Sequence, residues 1–459
     1  LTEPDKKTNS IYAELTQPFV DLFRSSRAVF GLNLSYMIEG LVYFGIVGLL
    51  VLHFNENVGL NDIQASLMVS LFTAGITISQ LLLGATVDWV GVRRALLYSL
   101  FIMLAGRIII SALPLSGAAT GYGGPVHLGT MFGLFLVVIA YGIYQPAAYT
   151  AVKKFFKPEN AAMGYAMLYG LMNLGGFLPG LISPPIRHAY GIVGVFWVFV
   201  ALNIIAIIVV LVFIGKRSEA AALAHGGGEI DGDDDDPTAA MSGREKITYY
   251  LKNFPLTDLR FLYFIFILIP VQTLFAHNWL TLPPYTSRAF SGVVSDYFEF
   301  FVNLNPILIF VFTPIVTALT SKVSIYRMMI LGTLVMALPT FFLTLGPSLP
   351  ALMAYLIVMT IGEAMWQPRF LQWVAEIAPR GMTGIYMGIG QFPWFLTKMI
   401  TGFYSGWFLT QYVPEGANPA TMNSEFMWFI YALIAMLSPI GLIIARKWMM
   451  RDFKEKHEG

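Results

Sequence analysis

Six ionisable side chains stand inside long apolar runs of this chain: Glu39, Arg107, Glu299, Glu363, Arg369 and Lys398. A charge at the centre of a membrane-crossing helix costs about 2.5–3.5 kcal/mol on insertion scales, so such residues are candidates for holding charged solutes or carrying protons. Glu39 lies roughly 11 residues into its run, about 16 Å at 1.5 Å per residue. Tyr36 and Tyr43, at i−3 and i+4, share its face and form a polar stripe. A carboxyl group so placed can take up and release a proton; the alternative is a structural partner for Arg107. Arg107 itself reads equally well as a clamp for a solute carboxylate or as that partner. Glu363, with Trp366, Gln367 and Phe370 on adjoining faces, could bind a solute amine, carry the proton, or make a structural bond to a neighbouring helix. Lys398 and Glu299 fall at similar depth, so a pair between them could close a gate, bind a carboxylate, or be a plain salt bridge. Arg369 lies near the end of its run, where snorkelling to water is expected.

Around these charges stand aromatic and amide side chains. Tyr141, Tyr144 and Gln145 share part of one helix, and Tyr165, Tyr169 and Asn173 recur at i, i+4 and i+8 on the next. Such stripes could line a cavity for an amphipathic organic solute, although any single tyrosine could equally be a packing group.

The elements that carry these residues are set by composition. The chain has 459 residues, 56% hydrophobic and only 12% charged, with 28 basic against 27 acidic side chains. Soluble domains carry about a quarter charged residues, so this is an integral membrane protein. Runs long enough to cross a bilayer, roughly 20 residues each, fall at 28–54, 63–88, 94–113, 129–151, 160–186, 191–214, 259–283, 297–320, 326–346, 350–376, 382–410 and 425–446. The expected fold is all-α, with twelve spans. Segment 1–27 precedes them, with 10–27 amphipathic enough to lie on the membrane surface. Residues 215–258 form a polar linker, partly disordered around its glycines and the acidic run 233–236, between bundles 28–214 and 259–446; residues 447–459 form a tail. Lysine and arginine concentrate in alternate connections, and on the opposite side only Arg187 and Arg288 occur, so both termini are expected in the cytoplasm. No cleaved signal peptide is expected.

The two halves repeat each other. Tyr141-Gly-Ile-Tyr-Gln145-Pro146 matches Glu363-Ala-Met-Trp-Gln367-Pro368, and each is followed by a proline, Pro158 or Pro379, and a glycine-rich helix. By the same repeat, the mate of Glu39 lies near Gln272. Parallel repeats of this kind place a solute site between the halves, near the bilayer midplane.

Gly84-x-x-x-Asp88-x-x-Gly91-x-Arg93-Arg94, between the second and third spans, resembles the signature loop of the major facilitator superfamily. Its glycines permit a tight turn. The resemblance makes Asp88, Arg93 and Arg94 a latch to the start of the eleventh span. Within that superfamily, Glu39-Gly-Leu-Val-Tyr43-Phe44-Gly45, Asn173-Leu174-Gly175-Gly176, Glu363, Pro368, Ala378-Pro379 and Gly388 are similar to motifs of the proton-dependent oligopeptide transporters. The first Glu of that family's opening motif is Tyr36 here, the following Arg is Gly40, and the Lys of the fourth span is Gln145, which points to a divergent branch.

The resemblance implies a proton-coupled symporter of a small peptide or peptide-like solute, working by alternating access as a monomer in the cell (inner) membrane. In this reading Glu39 and Glu363 couple to protons. Tyr36, Tyr43, Arg107, Tyr141, Gln145, Tyr169, Asn173, Gln272, Trp366, Gln367 and Lys398 line the solute site, and Glu299 joins the gates. A proton-driven exporter of amphipathic compounds and a non-transporting receptor are the alternatives. The expected partners are the solute, protons and lipid. The six histidines are scattered without metal-ligand spacing, there are no cysteines, no nucleotide-binding loop and no basic face for nucleic acid, so no enzyme chemistry, cofactor or metal is expected.

Overall fold

The computed structural model describes residues 26–84, 86–156, 158–226, 248, 257–320, 323–377, 386, 389–390 and 392–455. The surface helix expected over 10–27, the acidic run of the linker, Ala378-Pro379, Gly388 and the last residues of the tail therefore lie outside the described residues, apart from Ser26 and Arg27.

The described residues are helical, with no strand among them. Among the described residues, ten helices are long and apolar enough to cross a membrane. In chain order the principal helices are α1 (Arg27–His53), α2 (Asp62–Leu83), α3 (Val92–Ala112), α4 (Pro125–Phe155), α5 (Pro158–Phe177), α6 (Pro179–Phe213) and α7 (Lys216–Gly226). After the linker come α8 (Leu259–Ile267), α9 (Ile269–Leu280), α10 (Leu282–Ala289), α11 (Leu304–Thr320), α12 (Ile325–Ala337), α13 (Leu349–Ile377), α14 (Phe392–Tyr412) and α15 (Ser424–Glu455).

Several expected spans are broken, and prolines or glycines mark most of the breaks. The run 259–283 is divided at Leu268, ahead of Pro270, and at Thr281, ahead of Pro283 and Pro284. The fifth and sixth spans meet within α6, where Gly191 leaves the helical region (φ 67°, ψ −176°). In the signature loop Gly91 turns the chain into α3 with φ 82°, a conformation that suits glycine. The linker is more ordered at its start than its composition suggests, since α7 packs on the ends of α1 and α4.

Lipid is as apolar as leucine, so helices in a bilayer associate by close packing at small residues more than by hydrophobic drive. This chain uses glycine for that purpose. A Cβ on Gly106 would meet the Gly133 carbonyl, fixing α3 to α4, and one on Gly332 would meet Trp366, fixing α12 to α13. In the first half of the chain α1 packs on α5 and α6, and α4 on α2 and α3; in the second half α13 packs on α11 and α12, and α15 on α9 and α12. Contacts across the halves run between α2 and α14, α5 and α11, and α1 and α9.

The α2–α14 approach depends on two glycines. A side chain on Gly402 would strike Ser70, and one on Gly406 would strike the backbone of Asp62 and Ile63. Overpacking costs about 1–3 kcal/mol, enough to shift a two-state balance roughly tenfold or more. Gly406→Leu should therefore open the end of the molecule that carries Asp62. In a chain without native cysteines, Asn303→Cys, buried in the wild type, should become labelled there by an impermeant maleimide. Unchanged protection would show that this approach does not hold that end closed.

Candidate functional site

Two adjoining cavities, of about 250 Å³ and 260 Å³, lie between the halves of the chain and share Tyr43, Met172, Trp394 and Lys398 in their walls. The first is walled by α1 and α5 on one side and by α9, α11, α13 and α14 on the other. The second extends between α2 and α4, where Thr77, Gln80, Tyr141 and Gln145 line it. The linings are aromatic rings interspersed with amides and hydroxyls, the usual make-up of a small-molecule site.

Only two charged side chains line these cavities among the described residues, and they have opposite sign. Glu363, on α13, is buried and accepts a hydrogen bond from Asn305 Nδ2 (2.7 Å). Lys398, on α14, donates across to α2, to the Thr73 carbonyl (3.3 Å) and Thr77 Oγ1 (3.0 Å). Neither forms an ion pair with another described residue. Two unmatched charges in a low-dielectric cavity cost free energy unless a ligand or a proton compensates them.

Glu39 stands one layer behind the wall. Its carboxylate is paired with the Arg107 guanidinium and also receives the Tyr141 hydroxyl. Arg107 Nη1 donates to Glu39 Oε2 (3.0 Å) and to Asn203 Oδ1 (2.8 Å), and Asn203 Nδ2 donates to the Leu100 carbonyl (3.2 Å). This network ties α1, α3, α4 and α6 together and holds Tyr141, whose ring also packs edge-on against Tyr43, at the cavity wall. Of the two readings open for Arg107, the geometry matches the structural partner.

At the Asp62 end, two further ion pairs bridge the halves. Arg288 grips Asp62 through both terminal nitrogens (2.7 and 2.8 Å) and donates to Asn55 Oδ1 (3.2 Å). Arg187 pairs with Glu299, donates to the Asp296 carbonyl (2.7 Å) and lies over the Phe298 ring at 4.7 Å. Asn55 belongs to a π-helical turn, Phe54–Val58, that ends in Gly59 at φ 79°. Such turns inside α-helices are rare and cluster at functional sites.

The structure brings Tyr43, Tyr141, Gln145, Tyr169, Asn173, Glu363, Gln367 and Lys398 to the cavities. Other expected positions stand apart from the lining. Tyr36 is buried with its ring stacked on Tyr144 (6.0 Å). Trp366 is fully buried against Gly332 and donates to Met336 Sδ (3.1 Å), because the side of α13 that carries Gly362 and Trp366 packs on α12. Gln272 is buried and accepts from Thr397 Oγ1 (3.2 Å). The suggested Lys398–Glu299 pair does not form: Glu299 sits on a separate short helix, Phe298–Val302, and turns to Arg187, while Lys398 stands beside the middle of α2. Arg93 Nε donates to the Ile214 carbonyl and its amide to Glu219 Oε1 (3.1 Å), so it joins α3 to the start of the linker. Arg94 is exposed. Asp88 lies in the short helix Thr86–Val90, with its side chain outside the described residues, as is the start of the eleventh span expected to receive it. Asp62, Asn203 and Asn305 were not singled out from the sequence; Asn203 and Asn305 are polar residues in apolar runs, the signal that would have found them.

Breaking a buried ion pair by removing one partner costs about 3–5 kcal/mol, because the other charge is left uncompensated. Arg107→Met should therefore lower the thermal unfolding midpoint in detergent sharply. Arg107→Met combined with Glu39→Leu should recover much of the loss. Equal stability of Arg107→Met and wild type would show that Glu39 finds another partner.

The sequence model of the Major Facilitator Superfamily matches residues 32–400. The chain is 27% identical over 169 residues to the peptide transporter YePEPT of Yersinia enterocolitica, and 27% identical over 163 residues to peptide transporter family 1 of Drosophila melanogaster. These alignments cover 35% and 33% of this chain, and only 31% and 21% of those relatives. A crystal structure of the peptide transporter POT in complex with sulfate superposes with a TM-score of 0.70 at 18% identity, covering 93% of this chain and 95% of that one. A POT family transporter in complex with 5-aminolevulinic acid gives 0.68 at 17% identity, covering 92% and 97%. A fold shared over 93% of the chain, and a superfamily model matching most of its length, agree: this multi-pass membrane protein belongs to the major facilitator superfamily and resembles its POT peptide-transporter branch.

Proposed function

We propose that the chain is a secondary active transporter that carries a small peptide or peptide-like organic solute together with a proton by alternating access. The observation that carries this reading is the cavity between the halves, with Glu363 and Lys398 in its wall and no ion partner on either among the described residues. A solute bearing amino and carboxylate groups complements such a wall. Tyr43, Tyr141, Gln145, Tyr169, Asn173 and Gln367 would supply the remaining contacts. Both curated relatives are peptide transporters by name, which supports the choice of solute.

We infer twelve spans in two bundles, 28–214 and 259–446. The 47-residue apolar stretch Met167–Phe213 counts as two spans broken at Gly191, and α14, whose Lys398 and threonines hold its hydropathy down, adds another. The termini would lie in the cytoplasm of a cell whose inner membrane holds the protein, with the cytoplasmic linker between the bundles and a monomer as the working unit. The Asp62–Arg288 and Arg187–Glu299 bridges would then close the outer face, and the structure would be the inward-facing state. Movement to the outward-facing state would break both bridges, and a ligand drives such a shift only by its differential affinity for the two states.

Glu363 is the proton carrier within reach of the cavity. Glu39, paired with Arg107, would exchange a proton only when Arg107 releases it. In proteoliposomes, dialanine uptake should rise above equilibrium under an inward proton gradient and collapse with a protonophore. Glu363→Gln should lose this accumulation and keep exchange of solute across the membrane without a gradient. Accumulation that ignores the gradient and survives both Glu363→Gln and Glu39→Gln would overturn the proton-coupled reading.

A further inference from the structure

Lys398 occupies a particular place in the wall. It belongs to the second half of the chain, yet among the described residues its ammonium is bonded to α2 of the first half, to the Thr73 carbonyl and the Thr77 hydroxyl. Both acceptors are neutral; the bond to Thr77 is of ordinary length and the one to the Thr73 carbonyl is long. It is shared by both cavities, and among the described residues it is the one cation in either wall. Among the described residues the second cavity is lined by no carboxylate. Beside Lys398 its polar lining is Thr77, Tyr43, Tyr141, Trp394 and the hydrogen-bonded amides of Gln80 and Gln145. An anion there meets a cation and neutral hydrogen-bonding groups, with Glu363 confined to the first cavity.

We propose that Lys398 is the anion subsite of the transported solute and, in the unloaded protein, a strut between the halves, so that a carboxylate entering the second cavity takes the ammonium away from α2. This rests on the reading of the cavity as the transport site. A carboxylate offers the ammonium an opposite charge, which the neutral acceptors on Thr73 and Thr77 lack, and in a low-dielectric cavity that attraction lets the solute outcompete them. The exchange removes a cross-half bond beside the middle of α2 and leaves the glycine contacts at Gly402 and Gly406 in place. Loading and loosening of the α2–α14 seam become one event. The selected solute carries a free carboxylate, and its amide analogue lacks the group that releases the strut.

The test compares dialanine with its C-terminal amide, binding each to the full-length chain in nanodiscs by calorimetry and following each by counterflow in proteoliposomes. The wild type should bind dialanine at least tenfold more tightly than the amide. Lys398→Gln should abolish that preference, mainly by weakening dialanine, and Lys398→Arg should keep part of it. Thr77→Val, which removes one strut acceptor, should tighten dialanine without tightening the amide, and it tests the strut even where Lys398→Gln fails to fold. A purely structural lysine would lower stability without moving the carboxylate-to-amide ratio. A wild type that binds both compounds alike, or a Lys398→Gln chain that keeps the wild-type preference, overturns the anion subsite while leaving the transport site standing. A Thr77→Val chain whose dialanine affinity is unchanged or weaker overturns the strut. A wild type that binds neither compound overturns the peptide reading and this inference with it.

Discussion

A charge removed from water has to be met by another charge, by hydrogen bonds, or by something that comes and goes. The arrangement of this protein follows from how each intramembrane charge meets that demand. Glu39 and Arg107 meet it within the first half of the chain, with Tyr141 and Asn203 adding hydrogen bonds. Asp62 with Arg288, and Glu299 with Arg187, meet it across the two halves at one end. Among the described residues Glu363 and Lys398 have only neutral partners, and these two line the cavity.

Those three classes of partner correspond to three mechanical roles. A network inside one half, such as that of Glu39, makes that half rigid, because releasing any member leaves the rest uncompensated. Pairs across the halves can be exchanged for water at the protein's end, where Glu415, within 3.9 Å of Arg288, is already 58% exposed. Rigid halves joined by breakable end contacts are what alternating access requires, and the proposed cycle uses the bridges in that sense. In the proposed cycle the charges left in the cavity are the ones the solute and the proton would bind.

The same economy governs the apolar part. Without a strong hydrophobic drive between helices, contact comes from shape. Glycines let α3 meet α4 and α12 meet α13 within each half, and others let α14 approach α2 across the halves. Trp366 and Tyr36, attractive as solute contacts because they share helix faces with ionisable residues, serve this packing instead. A helix in a bundle buries most of its circumference, and adjacency on a wheel does not say which side faces the hole.

Much was decided by the order of residues alone. The length and apolarity of the runs impose helices, since nothing else satisfies the backbone in hydrocarbon. The Gln145-Pro146 and Gln367-Pro368 repeats announce two related halves, and both glutamines line the cavities. The cost of intramembrane charge pointed to Glu39, Arg107, Glu299, Glu363 and Lys398 before any contact was known. Which charge answers which was settled only in three dimensions. Glu299 took Arg187 over Lys398 because the chain breaks between Phe298–Val302 and α11, which depth counted along a regular helix does not register. Asp62 reads in sequence as the start of a helix, and it becomes half of a bridge only when Arg288, 226 residues away, is folded beside it. Sequence sets what each residue must pay to be buried; tertiary structure decides which partner, permanent or transient, meets that cost.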